Sequence, residues 1–340
     1  MVNVAADTLR PSPAKLLVWL VCASALLAET ARAIILVDTP NPLTNTTAPT
    51  GIYADSGWDF LGEYGSSLGT MIAPQYFITA QHTGLQGSTF VSTAELNGSA
   101  DVTYTIDTAA NGGTGYWDIA GTDLRILKIN ETFSAYVGLY AGGAEIGAEM
   151  VTFGRGGPRG ADVVQSAELK GWQYNASDGV FRWGTNVISA VVPSGVGSLL
   201  SASFDAGGGV NEATLSSGDS GGGVFILDGG QWKLAGVNFG VDGWFDFNDV
   251  VDSGEFEAAL FDMGGLYIGN DSDGWTLVPD GAVDVPSHLY ASRIADNAAV
   301  IDSIVGVPEP GGLWVLFLAA VTTVSVRRRP GARRKSARRC

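Results

Sequence analysis

One serine stands among four glycines in "SSGDSGGGVF" (Ser216–Phe225), where Gly218, Gly221, Gly222 and Gly223 surround Ser220. Glycine loses more conformational freedom on folding than any other residue, so the cluster marks a backbone that must approach something closely. A serine hydroxyl is a weak nucleophile at neutral pH. It needs an adjacent base, normally His, to take its proton, and a third group to orient that base. The whole chain has two histidines, His82 and His288. His82, in "YFITAQHTG", follows the aromatic and β-branched run Tyr76–Thr79, which reads as a strand. It stands where that strand hands over to a loop, rigid behind and exposed ahead. His288 follows an acidic, glycine-rich segment and Pro286 and reads as a surface histidine.

Two chain orders could join these groups: His82, an intervening Asp, Ser220; or Ser220, a later Asp, His288. Gly218–Gly222 formally fits G-x-S-x-G, which belongs to the second order and demands a strand before the serine and a helix after it. The approach here, "NEATLSSGD", is polar and loop-like, and Val224–Leu227 beyond it reads as a strand. The first order is therefore preferred.

The elements that must hold these residues read as short strands. Nearly half of the residues are hydrophobic (46%) and few are charged (16%), a globular composition. The apolar runs are short and broken by Gly, Asn, Asp and Ser, which favours many strands over long helices. The chain does not alternate strands with helices, which argues against a parallel α/β sheet.

On these residues the chain resembles the chymotrypsin-like (trypsin-like) serine protease family. "ITAQHTG" and "SGDSGGGVF" are similar to that family's histidine and serine motifs. "GTMIAPQYFITAQH" is similar to the strand pair before its histidine, "VTFGRGG" to the strand opening its second barrel and "WKLAGVNFG" to the strand flanking the substrate. "LYASRIADNAAVIDSIV" is similar to its closing strand and C-terminal helix. The resemblance covers roughly residues 34–306. It implies an all-β fold of two antiparallel six-stranded β-barrels, at 34–140 and 141–306, with a short C-terminal helix. For that helix Asp296 is the expected cap and Val300, Ile301 and Ile304 the expected core face.

The resemblance also implies roles. Ser220 attacks an acyl carbonyl, His82 takes and returns the proton, and an Asp holds the imidazole. Asp123, in "TDLRILKI", fits the family's strand-starting aspartate, and Asp118, in "YWDIAG", is its rival. The N–H groups of Gly218 and Ser220 form the oxyanion hole. Asp219 is buried in this family and needs a cation: the α-amino group of Ile34, freed by cleavage after Ala33, or Arg155. Thr214 falls at the base of the main pocket, and Asn238, Phe239 and Gly240 form the wall that pairs with substrate. A neutral residue at 214 implies a preference for uncharged, small-to-medium apolar residues before the cut bond. Gln81 replaces a small residue of the family pattern, Gly223 replaces a Pro, and the family's disulfides are absent. A catalytically silent module binding envelope or matrix polymers is the alternative function.

The ends read as addresses. Residues 1–33 form a secretory signal peptide: Arg10 and Lys15, then the apolar run Leu16–Ala28, then "ARA". Residues 307–340 resemble a PEP-CTERM sorting signal, with Val307-Pro308-Glu309-Pro310, a short apolar span at Leu313–Val326 and a basic tail. That resemblance implies export to the cell envelope or outside, a membrane segment and a sorting peptidase of exosortase type as partner. The two cysteines, Cys22 and Cys340, both lie in these ends, so the body between them must be held by core packing alone.

Eight of the 19 Lys and Arg, but 32 of the 35 Asp and Glu, fall within 34–306, a net charge near −24. Such a surface repels nucleic acid. Eleven of the acids crowd an insertion at 242–286 that has no Lys or Arg. It reads as a solvated acidic loop near the substrate cleft. No cofactor is expected, except that "NDSDG" (Asn270–Gly274) resembles a fragment of a Ca²⁺ loop.

Overall fold

A computed structural model describes residues 34–41, 43–92, 100–251 and 254–306. The proposed signal peptide and sorting tail lie outside them. Strand β1 (Ile35–Leu36) is short. It is followed by β2 (Leu61–Tyr64), β3 (Ser67–Ala73), β4 (Tyr76–Ala80), β5 (Thr89–Ser92), β6 (Val102–Thr105), β7 (Tyr116–Asp118) and β8 (Leu124–Lys128). Strands β2–β8 form one antiparallel sheet in the order β6-β5-β2-β3-β4-β8-β7. Its core is aromatic: Tyr64, Phe77, Phe90, Tyr104 and Phe133 pack with Leu127 and Ile129. The Phe77 and Phe90 ring centres are 4.4 Å apart. Burying each such side chain stabilises the fold by about 1.5–3 kcal/mol, which is how a barrel without disulfides holds together.

The second half contains β9 (Glu149–Gly154), the hairpin β10 (Arg159–Gln165) and β11 (Glu168–Tyr174), β12 (Arg182–Val187), β13 (Ala190–Ser194) and β14 (Gly197–Ser203). A two-residue β15 (Ala213–Thr214) precedes β16 (Gly223–Asp228) and β17 (Gln231–Val241). The insertion supplies β18 (Phe245–Asp246), β19 (Ala258–Leu260), β20 (Tyr267–Asn270) and β21 (Gly274–Leu277), and β22 (His288–Arg293) closes the barrel. The barrel order is β12-β9-β16-β17-β22-β14-β13. Each half is built on a seven-stranded antiparallel sheet, edge strands such as the three-residue β7 included, in keeping with the expected all-β fold of two barrels. One apolar cluster joins the barrels: Leu68, Ile78 and Ile126 of the first meet Val151, Phe153 and Phe225 of the second.

The C-terminal helix α1 (Ala298–Val305) ends on Gly306 in the left-handed conformation (φ 68°). Its start differs from expectation. Asn297 holds the N-cap position, while Asp296 is drawn off to the Arg293 guanidinium at 2.6 Å. Its core face is Ala298 and Ile301 with Ile304 half-buried against the same cluster, as the helical period from Ala298 to Ile301 and Ile304 requires, while Val300 is exposed.

The acidic insertion is not a solvated loop. Phe245, Phe256, Ala258, Leu260, Met263 and Leu266 form an apolar core of their own with Val163. Strand β19 extends the β10–β11 hairpin, with Gly171 opposite Leu260 and Gln173 opposite Ala258. The carboxylates dominate the charge of the segment, but the apolar residues between them recur at strand spacing and bury. Lys170 of β11 is buried and anchors the segment, reaching Asp262 at 2.5 Å and Asp280 at 3.3 Å. These contacts raise the pKa of its ammonium, chiefly through the hydrogen bond to Asp262. Lys170→Met leaves Asp262 without its cation. We expect a loss of about 3 kcal/mol, read as a lowered melting temperature together with early proteolysis within 242–286.

Candidate active site

The register of two strands brings the first pair of groups together. In the β4–β8 ladder Ala80 lies opposite Leu124, so the chain leaves β4 at Gln81 just where Asp123 enters β8. The Gln81 N–H donates to the Asp123 carbonyl at 2.7 Å, and the His82 N–H donates to Asp123 Oδ1 at 2.7 Å. Gln81–Thr83 makes one 3-10 turn, closed by the Thr83 hydroxyl on the Ala80 carbonyl and ended by Gly84. Gln81 thus fits the turn through its backbone, whatever its side chain.

His82 Nδ1 lies 2.7 Å from Asp123 Oδ2, and Nε2 lies 2.8 Å from Ser220 Oγ. A carboxylate accepts only, so this network assigns the proton to Nδ1 and leaves Nε2 to accept from the serine hydroxyl. Asp123 is buried. The Phe239 ring stands edge-on to the imidazole, with centres 5.7 Å apart at 90°. Asp118, the rival carboxylate, is occupied elsewhere. It lies opposite Arg125 in the β7–β8 pair and accepts from its Nε and Nη2 at 2.6 and 2.9 Å. His288 is also spent, with Nδ1 3.0 Å from Asp242.

Ser220 sits between β15 and β16 on a loop braced from both barrels. Leu68 N–H donates to the Ser220 carbonyl at 3.3 Å, and Gly221 N–H to the Asn238 carbonyl at 3.1 Å. Gly218 has φ 102°, and a Cβ there would stand 2.9 Å from Gly156 Cα. Gly221 has φ 84° with the Leu68 carbonyl 2.3 Å from any added Cβ. The glycines around Ser220 answer to this crowding. Gly223 likewise fits where a larger residue does not, since the Phe225 ring fills the space of its Cβ at 2.5 Å. Among the described residues the N–H groups of Gly218 and Ser220 donate to no backbone acceptor.

Asp219 points away from the serine into the interior. Its carboxylate accepts from the N–H groups of Gly156 and Ser216, each at 2.7 Å, and from the Ile34 N–H. Burial still pushes its pKa up to about 6. Ile34 is held at this point because β1 pairs with β15, Ile35 opposite Thr214. Arg155, the other candidate partner, goes to the Gly65 carbonyl at 3.0 Å and Glu63 at 3.3 Å instead.

A cavity of about 250 Å³ opens beside Ser220, with Ser216, Ser217 and Phe239–Val241 among its lining residues. Gly240 leaves its rim open, with nothing within 4 Å of an added Cβ. One expected lining residue, Thr214, differs from the sequence reading, while Asn238 lines the cavity as expected. Thr214 is buried and does not line the cavity, since pairing with Ile35 takes it into the interior. Asn238 borders the cavity, but its side chain is spent as a brace: Nδ2 donates to the Phe153 carbonyl at 2.8 Å, and Oδ1 accepts from Thr152 at 3.1 Å. The sequence reading did not assign Leu215, Ser216, Ser217, Val241 or Glu257 to the lining. Glu257 of the insertion forms part of the wall. Its signal was the alternation in "FEAAL": Phe256 and Ala258 bury, so Glu257 between them must face the other way.

In the "NDSDG" loop the carboxylates serve the turn between β20 and β21. Asp271 accepts from the Trp275 indole and Asp273 from the Asn270 amide. Among the described residues no group of three or more His, Cys, Asp or Glu side chains is arranged to hold a metal ion, and no helix is long and apolar enough to cross a membrane.

A family model described as Trypsin matches residues 56–244, more than half of the chain. Among solved structures, human heparin binding protein is similar at 14% identity, over 76% of this chain and 96% of that one, with a TM-score of 0.43. An atomic-resolution structure of HBP is similar at 15% identity over the same shares, with a TM-score of 0.42. No curated protein matches the sequence.

Proposed function

We propose that this chain, which belongs to the trypsin family, is an exported serine endopeptidase that hydrolyses peptide bonds through an acyl-enzyme. The observation that carries the reading is the unbroken relay from carboxylate to hydroxyl, with Asp123, His82 and Ser220 in contact at 2.7 and 2.8 Å. Ser220 Oγ attacks the scissile carbonyl as Nε2 of His82 takes its proton. The imidazolium that forms is held by Asp123 and then protonates the leaving amine, releasing the first product. Water repeats the sequence on the acyl-enzyme and frees Ser220. The N–H groups of Gly218 and Ser220 receive the oxyanion, where one such donor contributes about 3 kcal/mol to the transition state.

Export, a sorting peptidase as partner and a membrane segment at 313–326 belong to the same reading and rest on the two ends of the sequence. Asp219 is assigned to the α-amino group of Ile34 once cleavage after Ala33 releases it. What supports this is the Ile34 N–H already directed at the Asp219 carboxylate.

Labelling with a fluorophosphonate probe tests the peptidase reading. The wild-type protein takes up one probe and Ser220→Ala takes up none. A folded wild-type protein that stays unlabelled sinks the reading and leaves the silent module standing.

A further inference from the structure

The β16–β17 hairpin turns far from Ser220. Phe239 of β17 stands against the His82 ring, and Trp232 lies seven residues back along the same strand, about 23 Å away at strand spacing. There a second groove, of about 690 Å³, is lined by residues of the hairpin, of the segment 51–60 and of the segment 136–138. None of its lining residues borders the cavity beside Ser220. Backbone hydrogen bonds fix its walls. Segment 51–60 makes two 3-10 turns, Gly51–Tyr53 and Trp58–Phe60. Segment 136–138 is tied on both sides: the Val137 N–H donates to the Met71 carbonyl at 3.0 Å, and the Gly138 carbonyl accepts from the Leu234 N–H of β17 at 3.0 Å.

Three aromatic residues line this groove. Trp232 and Phe60 are half-buried, and Tyr136 is exposed. Ile52, of the same lining, is 75% exposed. Large apolar side chains left in water and rimmed by polar ones mark a binding surface. The polar groups are open as well. Among the described residues the Trp232 indole N–H, the Tyr136 hydroxyl, the Gln231 amide and the Asp55 carboxylate make no hydrogen bond or ion pair within the protein. The cation of the lining, Lys233, is already neutralised by Asp228 at 2.6 Å.

Aromatic faces beside open donors and acceptors suit a ligand that is apolar on one side and hydroxylated at its edge. A pyranose ring has that character. Its axial C–H bonds lie against the electron-rich face of an indole or phenol, and its hydroxyls pair with carboxylate, amide and N–H groups. A purely apolar ligand leaves those polar groups unpaired. An anionic polymer meets Asp55, no open cation in the lining, and a body of net charge near −24. We propose that this groove binds a neutral glycan chain, with Trp232 and Tyr136 as stacking faces and with Asp55 and Gln231 paired to its hydroxyls. The proposal stands apart from the peptidase reading: the groove anchors the protein to a glycan whether or not Ser220 is a nucleophile.

Titration calorimetry tests this on the full chain, in a detergent that carries no sugar headgroup, with cellohexaose, laminarihexaose, maltohexaose, N-acetylated chitohexaose and a heparin hexasaccharide as probes. At least one neutral hexasaccharide is expected to bind with a micromolar to millimolar Kd, and more tightly than the heparin fragment. Trp232→Ala and Tyr136→Ala each weaken that binding by about tenfold or more, Gln231→Ala by roughly threefold, and Trp232→Phe keeps most of it. Ser220→Ala binds as the wild type does, which separates the groove from the site of chemistry. Melting temperatures report that each variant is folded. Tyr136 and Gln231 are exposed, so their variants carry the test if Trp232→Ala fails to fold. Failure of all four neutral hexasaccharides to bind, preference for the heparin fragment, or binding unchanged in Tyr136→Ala and Gln231→Ala overturns the proposal.

Discussion

Asp123→Asn lowers kcat by about 10⁴-fold while the fold and the cavity persist. The amide is nearly the size of the carboxylate, so packing at this buried position changes little. The hydrogen bonds change instead. Asp123 accepts twice, from the His82 backbone N–H at Oδ1 and from His82 Nδ1 at Oδ2. An amide has a single oxygen, and its NH₂ facing Nδ1 drives the proton to Nε2. Nε2 then cannot accept from Ser220 Oγ, 2.8 Å away. Steady-state kinetics on one peptide substrate measures the effect, with KM expected to change far less than kcat. A loss below tenfold would show that Asp123 does not orient the base, and Asp118, bound to Arg125, is not placed to replace it.

Cleavage at Ala33–Ile34 raises kcat/KM by roughly 10²–10³-fold, the worth of a correctly placed oxyanion donor. Asp219 is the residue between Gly218 and Ser220, so whatever steadies its side chain steadies both donors. While Ile34 remains in a peptide bond, Asp219 has only neutral donors, and burial pushes its pKa to about 6. An ammonium at Ile34 reverses that direction. The consequence for stability follows from the protons bound. In the uncleaved form the folded chain keeps a proton on Asp219 between about pH 4, where the unfolded carboxyl titrates, and about pH 6. The unfolded chain has released that proton, so stability falls as pH rises through this window and then levels. In the cleaved form the folded pKa drops and the slope flattens or reverses. Melting temperatures from pH 4 to 7 for protein beginning at Ile34 and protein retaining Ala33 measure this, alongside kcat/KM. Equal activity of the two forms refutes the assignment of Ile34.

Local sequence carried much of the site. "ITAQHTG" and "SGDSGGGVF" announced a base and a nucleophile because the chemistry needs those residue types and because the glycines answer to crowding within a few residues. Phe239 and Gly240 were legible for the same reason. The errors were of another kind. Thr214 was assigned to the pocket on the family pattern, but a strand partner 179 positions earlier, Ile35, draws it inside. The charge count of residues 242–286 concealed a core built from Phe245, Phe256 and Leu260. Asp296 looked like a cap until Arg293 competed for it.

By itself the sequence pointed to Ser220 and His82 as a pair and to the β class of the fold, and it fixed an acidic body without cysteines, because each of these is written in residue type and short-range pattern. The tertiary structure alone set Asp123 rather than Asp118 against His82, brought Ile34 rather than Arg155 to Asp219, and set Glu257 on the cavity wall. Those outcomes depend on which distant segments pair and in what register, and a one-residue shift in a ladder turns every side chain to the opposite face.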